Sequence, residues 1–279
     1  VTQPPNWHGL VTWDLLLNAV ATGLFLVTAA AHLARPGLFA GVSLWVYPVA
    51  LAVLLADLSC LVLDLGDPLR FHHMLRVFKP SSPMSLGTWC LSAFAFPLAA
   101  VAALDVFALA GWLPADALSP ARSVFVIAAL PFAFGSAAYK GVLFSTTAQP
   151  GWRDARWLGA YHVASALAIG GGLLWAAAEL GGYAGAAVLR PAVAVLAAMS
   201  VLPTALLAVE LRPAVAGVHT PAATAVIAAV AVAGPIAAAG LTLAGGVLPA
   251  VLAAAALLVA GYAVRSVIVH LPHRVPGEP

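Results

Sequence analysis

Residues Val11–Ala34 read VTWDLLLNAVATGLFLVTAAAHLA. A helix rises about 1.5 Å per residue, so an uninterrupted run of this length crosses a hydrocarbon core of about 30 Å. Its one formal charge is Asp14, and Arg35-Pro36-Gly37 ends it. No basic leader and no small-residue cleavage site accompany it, so it reads as a true span rather than a signal peptide. Seven runs of the same kind follow, at about Phe39–Leu65, Met84–Gly111, Pro120–Thr147, Asp154–Leu180, Val188–Glu210, Thr220–Leu243 and Val247–Val269. Interior Pro48, Pro97, Pro131, Pro203 and Pro235 are expected to kink spans, which bundles tolerate when neighbours satisfy the freed carbonyls. Abundant Ala, Gly, Ser and Thr allow close helix approach.

The rest of the chain agrees. Of its 279 residues, 63% are apolar and 8% charged, whereas a soluble domain carries roughly 25% charged and about 45–50% apolar residues. A soluble enzyme, a nucleic-acid binder and a secreted disulfide scaffold are thereby excluded. A membrane barrel would need short alternating strands, and these runs are long and continuous. The expected fold is an all-α integral membrane protein, a single polytopic domain over residues 1–279. The net charge of +2 says little about partners. Cys60 and Cys90 lie alone in or beside apolar runs, so nothing here could ligate an iron–sulfur cluster or a structural zinc. A bis-His haem needs two histidines at matching depth. His162 is deep and His32 lies near the opposite end, while His8, His72, His73, His219, His270 and His273 fall in loops or at ends, so no haem is expected either.

Eight spans put both termini on one side, called side A, together with the long connection Gly66–Pro83. Side A collects Arg70, Arg76, Lys79, Arg153, Arg156, Arg212, Arg265 and Arg274; side B has Arg35, Arg122 and Arg190. The bias favours side A, and the termini, in the cytoplasm. A loop that docks a partner can be basic for that reason instead.

Ionisable groups inside spans cost about 2.5–3.5 kcal/mol each at the centre, so each needs a reason. Counted from the span ends, Asp57, Lys140 and His162 share a layer roughly 10–12 Å below side A, with Asp14 in the first turn of span one. Asp57 and Asp64 share one helix face, with Cys60 between them. Internal ion pairing, Asp57 with Lys140, is one reading; a side A cavity walled by exchangeable protons is the other. A second polar group lies toward side B: His32, Asp105, Asp116, Glu179 and Arg190. Interface snorkelling accounts for Glu179 and Arg190, and with His32 they are the candidates for a far-side proton route. Thr220 to Val264 carries no charge, so the last two helices read as packing and lipid-facing elements.

The connection after span two reads Asp64-Leu65-Gly66-Asp67-Pro68-Leu69-Arg70-Phe71, then Lys79-Pro80-Ser81-Ser82-Pro83-Met84-Ser85-Leu86-Gly87-Thr88-Trp89. This resembles the signature of the NrfD / polysulfide reductase membrane-subunit family, D-L-G-x-P-x-R-F followed by P-x-S-P-M-S-x-G-x-W. Tyr139-Lys140-Gly141-Val142-Leu143 through Pro150-Gly151-Trp152 is similar to that family's fourth span and following loop, and Trp13-Asp14 fits its first span. The likeness runs from about Trp13 to His162 and beyond, and thins after Glu179 to hydropathy and helix count.

The resemblance implies two four-helix bundles, residues 1–150 and 151–279, in a bacterial cytoplasmic membrane. It implies electron exchange between the quinone pool (menaquinone or ubiquinone) and a ferredoxin-like four-cluster iron–sulfur subunit, itself coupled to a molybdopterin catalytic subunit or a multihaem cytochrome. Asp14 sits where relatives place a quinone-contacting His or Asp, and Tyr139 near the family's quinone-contacting tyrosine. No Asn/His pair occurs on span one, Leu10 standing near the expected Asn. Asp64 and Arg70 match the signature loop, where they shape the pocket mouth or brace the loop. Arg70, Arg76 and Lys79 are the expected partner-docking residues; His72 and His73 have no counterpart. The rival from another class is a secondary transporter working through the Asp57–Lys140–His162 layer. Redox-driven proton translocation added to quinone chemistry is a third reading.

Overall fold

The computed structural model describes residues 9–147, 149 and 151–273; His8, Pro150, Arg274 and the His273 side chain lie outside it. Eight helices, each long and apolar enough to cross a membrane, fill the described residues. They are α1 (Gly9–Ala34), α2 (Pro36–Leu63), α3 (Pro83–Leu109), α4 (Ala115–Ser145), α5 (Leu158–Leu180), α6 (Ala186–Ala216), α7 (Pro221–Leu241) and α8 (Val247–His270). The protein is a multi-pass, all-α membrane protein.

Local chemistry sets the ends. Proline occupies the first turn of α2, α3 and α7, where its missing N–H is no loss. The Ser82 hydroxyl caps α3 and that of Thr220 caps α7, each accepting from a backbone N–H three residues on. Pro48, Pro97, Pro131, Pro203 and Pro235 all lie within continuous helices. The largest departures from the expected bounds are in two spans: α4 begins at Ala115, ahead of Pro120, and α6 runs past Glu210 to Ala216. A proline near a helix start fits the first turns, so Pro120 did not mark the boundary.

Helices α1–α4 pack as one bundle, α1 and α3 each touching α2 and α4; α5–α8 repeat this order, α5 and α7 each touching α6 and α8. Four helices per bundle leave both bundles running in the same sense. The seam is α1 against α5, supported by α4 on α5 and α1 on α8, and α1 and α5 are the most buried spans. Glycine permits their crossing. A Cβ on Gly23 would stand 1.9 Å from the Ala166 carbonyl oxygen, and one on Gly170 2.0 Å from the Gly23 carbonyl carbon. Only a residue without a side chain lets the two backbones meet there.

Candidate functional site

Three helices of the first bundle bring their charges to one point near side A. The Lys140 ammonium (α4) donates to Asp14 Oδ1 (α1) at 2.6 Å, to Asp57 Oδ1 (α2) at 3.2 Å and to the Asp14 carbonyl at 3.3 Å. The Asn18 amide donates to Asp57 Oδ2 and to Ser136 Oγ, both at 3.1 Å. Asp14, Asp57 and Lys140 are 3%, 0% and 4% exposed. A charge buried this far is tolerated only when paired and hydrogen-bonded. Two carboxylates against one ammonium leave the cluster room for one exchangeable proton.

Helix ends explain the convergence. The spans were expected to place Asp14 in the first turn and Asp57 and Lys140 deeper. In the structure α1 starts two residues earlier than expected, while α2 and α4 stop two residues earlier. Each shift moves a residue about 3 Å along the axis. Asp14, Asp57 and Lys140 thus share one level, five or six residues from their helix ends, and form one cluster in place of an upper and a lower group.

Above the cluster opens a cavity of about 280 Å³, lined by Asp14, Cys60, Asp64, Tyr139 and Lys140 among apolar side chains that include Val11, Leu65, Leu143 and Phe144. The three residues expected at a quinone headgroup, Asp14, Asp64 and Tyr139, therefore face one space between α1, α2 and α4. Gly87 seats the tyrosine: a Cβ there would stand 2.0 Å from the Tyr139 ring. The Lys140 ammonium lies 5.7 Å from the centre of that ring. No family model matches this chain, and no curated protein does.

The connection over residues 64–82 stands at the cavity mouth. A 3-10 segment, Pro68–Leu75, follows Asp67, and Met74 from it lines the cavity with Met84 of α3. Ser85 Oγ accepts from the Lys79 N–H and donates to the Val77 carbonyl, tying the loop's end to α3. Arg70, Arg76 and Lys79 are exposed; Arg70 pairs with Asp67 at 2.9 Å. The Gly151-Trp152 turn closes the neighbouring part of side A. The Trp152 indole N–H donates to the Ile268 carbonyl at 2.6 Å, and its ring packs 4.6 Å from that of Phe144.

The other candidate residues stand outside this cluster's hydrogen bonds. His162 is buried on α5 beside Tyr161, and its Nε2 has no hydrogen-bond partner among the described residues. Neither Asp57 nor Lys140 bonds to it; their further hydrogen-bond partners are Asn18 and, through it, Ser136. The candidates for a far-side route, His32, Glu179 and Arg190, share no hydrogen bond with one another among the described residues. Glu179 accepts from the Trp175 indole and the Gly246 N–H, while Arg190 donates to the Thr242 and Leu243 carbonyls, so both brace the α7–α8 turn. His32 is buried elsewhere, its ring 6.4 Å from that of Tyr47.

Two arginines of the side A and side B charge balance are interior. Arg122 pairs with Asp105 and donates to Ser43 inside the first bundle near side B. Arg265, fully buried in α8, donates to the Leu15 carbonyl (3.1 Å), Tyr161 Oη (3.1 Å), the Gly261 carbonyl (3.0 Å) and Ser165 Oγ (2.9 Å). The last helix is therefore more than packing. Asn18 and Ser136 were also missed. Each lies four residues from a flagged charge, Asp14 or Lys140, on the same helix face, and that spacing was the available signal.

Proposed function

We propose that this protein is the quinone-reactive membrane subunit of an oxidoreductase complex, exchanging electrons between the membrane quinone pool and a ferredoxin-like iron–sulfur subunit. The reading is carried by one observation: the cavity at side A has apolar walls, a buried carboxylate–ammonium cluster at its base and a tyrosine beside it, beneath the long connection. A quinone fits this donor set, since a small ligand needs a few placed polar groups among apolar side chains. Bound there, it supplies reversible two-electron, two-proton chemistry.

The chain's own residues supply the proton handling. Asp14, at the cavity wall, accepts or returns a proton, and Lys140 fixes the carboxylate's orientation. Asp57, held by Asn18, anchors Lys140 from the other side. The Tyr139 hydroxyl donates a hydrogen bond to an oxygen in the cavity, and Asp64 stands at its rim. The apolar wall takes the isoprenoid tail. The resemblance of the 64–89 stretch to the NrfD / polysulfide reductase family supports the same assignment, with the loop carrying Arg70, Arg76 and Lys79 as the partner's landing surface. Among the described residues, side A still carries more exposed basic residues than side B once Arg122 and Arg265 are removed from the count. The remaining bias supports cytoplasmic termini in a bacterial inner membrane.

Asp14→Asn is expected to preserve assembly and to cut quinone-linked turnover by roughly tenfold to a thousandfold. Tyr139→Phe is expected to cut it about tenfold, the scale of one lost hydrogen bond. Reduction of a soluble dye by the partner subunits bypasses the cavity and should be unchanged. Full quinone-linked activity in both variants would refute the assignment and return the buried cluster to the transport reading.

A further inference from the structure

The larger cavity lies in the second bundle. Its volume is about 550 Å³, between the side A halves of α6, α7 and α8. Leu207, Ile227, Ala231 and Val264 line its depth, and Arg212 and His219 stand toward its side A end. No Asp or Glu lines it. Among the described residues no ion pair engages Arg212, and the nearest carboxylate in sequence, Glu210, is taken by the Trp157 N–H. The wall formed by α7 is the least buried of the eight spans, so the cleft opens between exposed helix faces.

We infer that this cleft is a binding site for an anionic phospholipid, its acyl chains between α6, α7 and α8 and its phosphate on Arg212 and His219. Three features favour that occupant. The walls are apolar over the depth of one membrane leaflet, as a chain requires. The charge is of one sign and sits at the level where headgroups lie. Basic pockets between transmembrane helices on the positively biased side are sites for anionic lipid headgroups. The site is independent of the quinone cavity, which lies in the other bundle.

The test is native mass spectrometry of the delipidated full chain, titrated with phosphatidylglycerol or phosphatidylcholine of identical chains. The wild type is expected to favour phosphatidylglycerol about five- to tenfold. R212Q/H219Q should bring that ratio near one. A228F, which fills the cleft from α7 without touching charge, should lower occupancy by both lipids. R153Q/R156Q, on a different side A loop, should keep the wild-type ratio. Size-exclusion profiles establish that each variant is folded. Equal binding of the two lipids by the wild type would overturn the site. So would a preference that survives R212Q/H219Q, one lost in R153Q/R156Q, or occupancy untouched by A228F.

Discussion

The two bundles share a frame and differ in what they bury. In the first, the cation lies five residues before the end of the fourth helix, and its partner Asp14 lies nine residues before the crossing glycine Gly23. In the second, Arg265 lies five residues before the end of α8, and its partner Tyr161 nine residues before Gly170. A further polar residue follows four positions later in each first helix: Asn18, which donates to Asp57, and Ser165, which accepts from Arg265. The acceptors differ. Lys140 faces two carboxylates, whereas Arg265 faces hydroxyls and backbone carbonyls. An arginine in such a place stays charged and exchanges no proton; a lysine between two carboxylates sits in a group that can. The cavity at the first cluster is the smaller and carries carboxylates on its wall, while the larger cleft of the second bundle has no Asp or Glu in its lining. One scaffold thus carries a carboxylate-paired lysine on one side of the seam and a neutrally partnered arginine on the other.

The seam itself is the strictest requirement. Gly23→Leu places a side chain where a Cβ alone would sit 1.9 Å from the Ala166 carbonyl oxygen, so the bundles cannot approach. Loss of folded, monodisperse protein is expected on size exclusion. Gly240→Ala, on α7 with open space around it, should leave the profile unchanged and gain up to about 1 kcal/mol from helix propensity. A monodisperse Gly23→Leu protein would mean that the two bundles are not held by this crossing.

Next in size are the two cations. Lys140→Met leaves Asp14 and Asp57 buried without their counter-ion, and breaking a buried pair in this way costs about 3–5 kcal/mol. Arg265→Met strands only neutral acceptors, a cost of about 1–3 kcal/mol. Reversible unfolding in mixed micelles would compare them. Equal losses would erase the distinction between the bundles, because it rests on the carboxylates that one has and the other lacks.

Much of this was legible in the sequence, and for physical reasons. A run such as Val11–Ala34 in a chain with few charges has one stable fate in lipid, so eight spans could be read with boundaries off by a few residues. The costly residues Asp14, Asp57 and Lys140 could be flagged because burial of charge always needs a cause. Their meeting could not be read with the same certainty, since an error of two residues at three helix ends displaced Asp14 from its partners. Arg122 and Arg265 were missed because both stand near the expected ends of spans, where an arginine usually snorkels outward. Whether such a side chain turns inward depends on acceptors from other helices, here Asp105 and Ser43 for one and Leu15, Tyr161 and Ser165 for the other. Sequence spacing holds no record of those contacts. His162 was legible in depth and helix, buried on α5 as its position implied, while the hydrogen bonds of the cluster are made by other residues.

The smallest expected effect bears most directly on the comparison. Tyr161→Phe removes one hydroxyl acceptor from Arg265, whose same terminal nitrogen keeps the Gly261 carbonyl at 3.0 Å. The remaining guanidinium bonds go to Leu15 and Ser165 and are untouched. The stability loss should therefore be about 0.5–1.5 kcal/mol, the net worth of one hydrogen bond. Because Tyr161 is a partner of the fixed cation and does not line the first cavity, quinone-linked turnover should stay within roughly twofold, less than about 0.5 kcal/mol in barrier. Tyr139→Phe, the same chemical change at the cavity in the first bundle, should do the reverse, costing turnover with little stability. Matching activity losses in the two variants would show that both bundles take part in the reaction. The division of labour between the carboxylate-paired lysine and the neutrally partnered arginine would then fail.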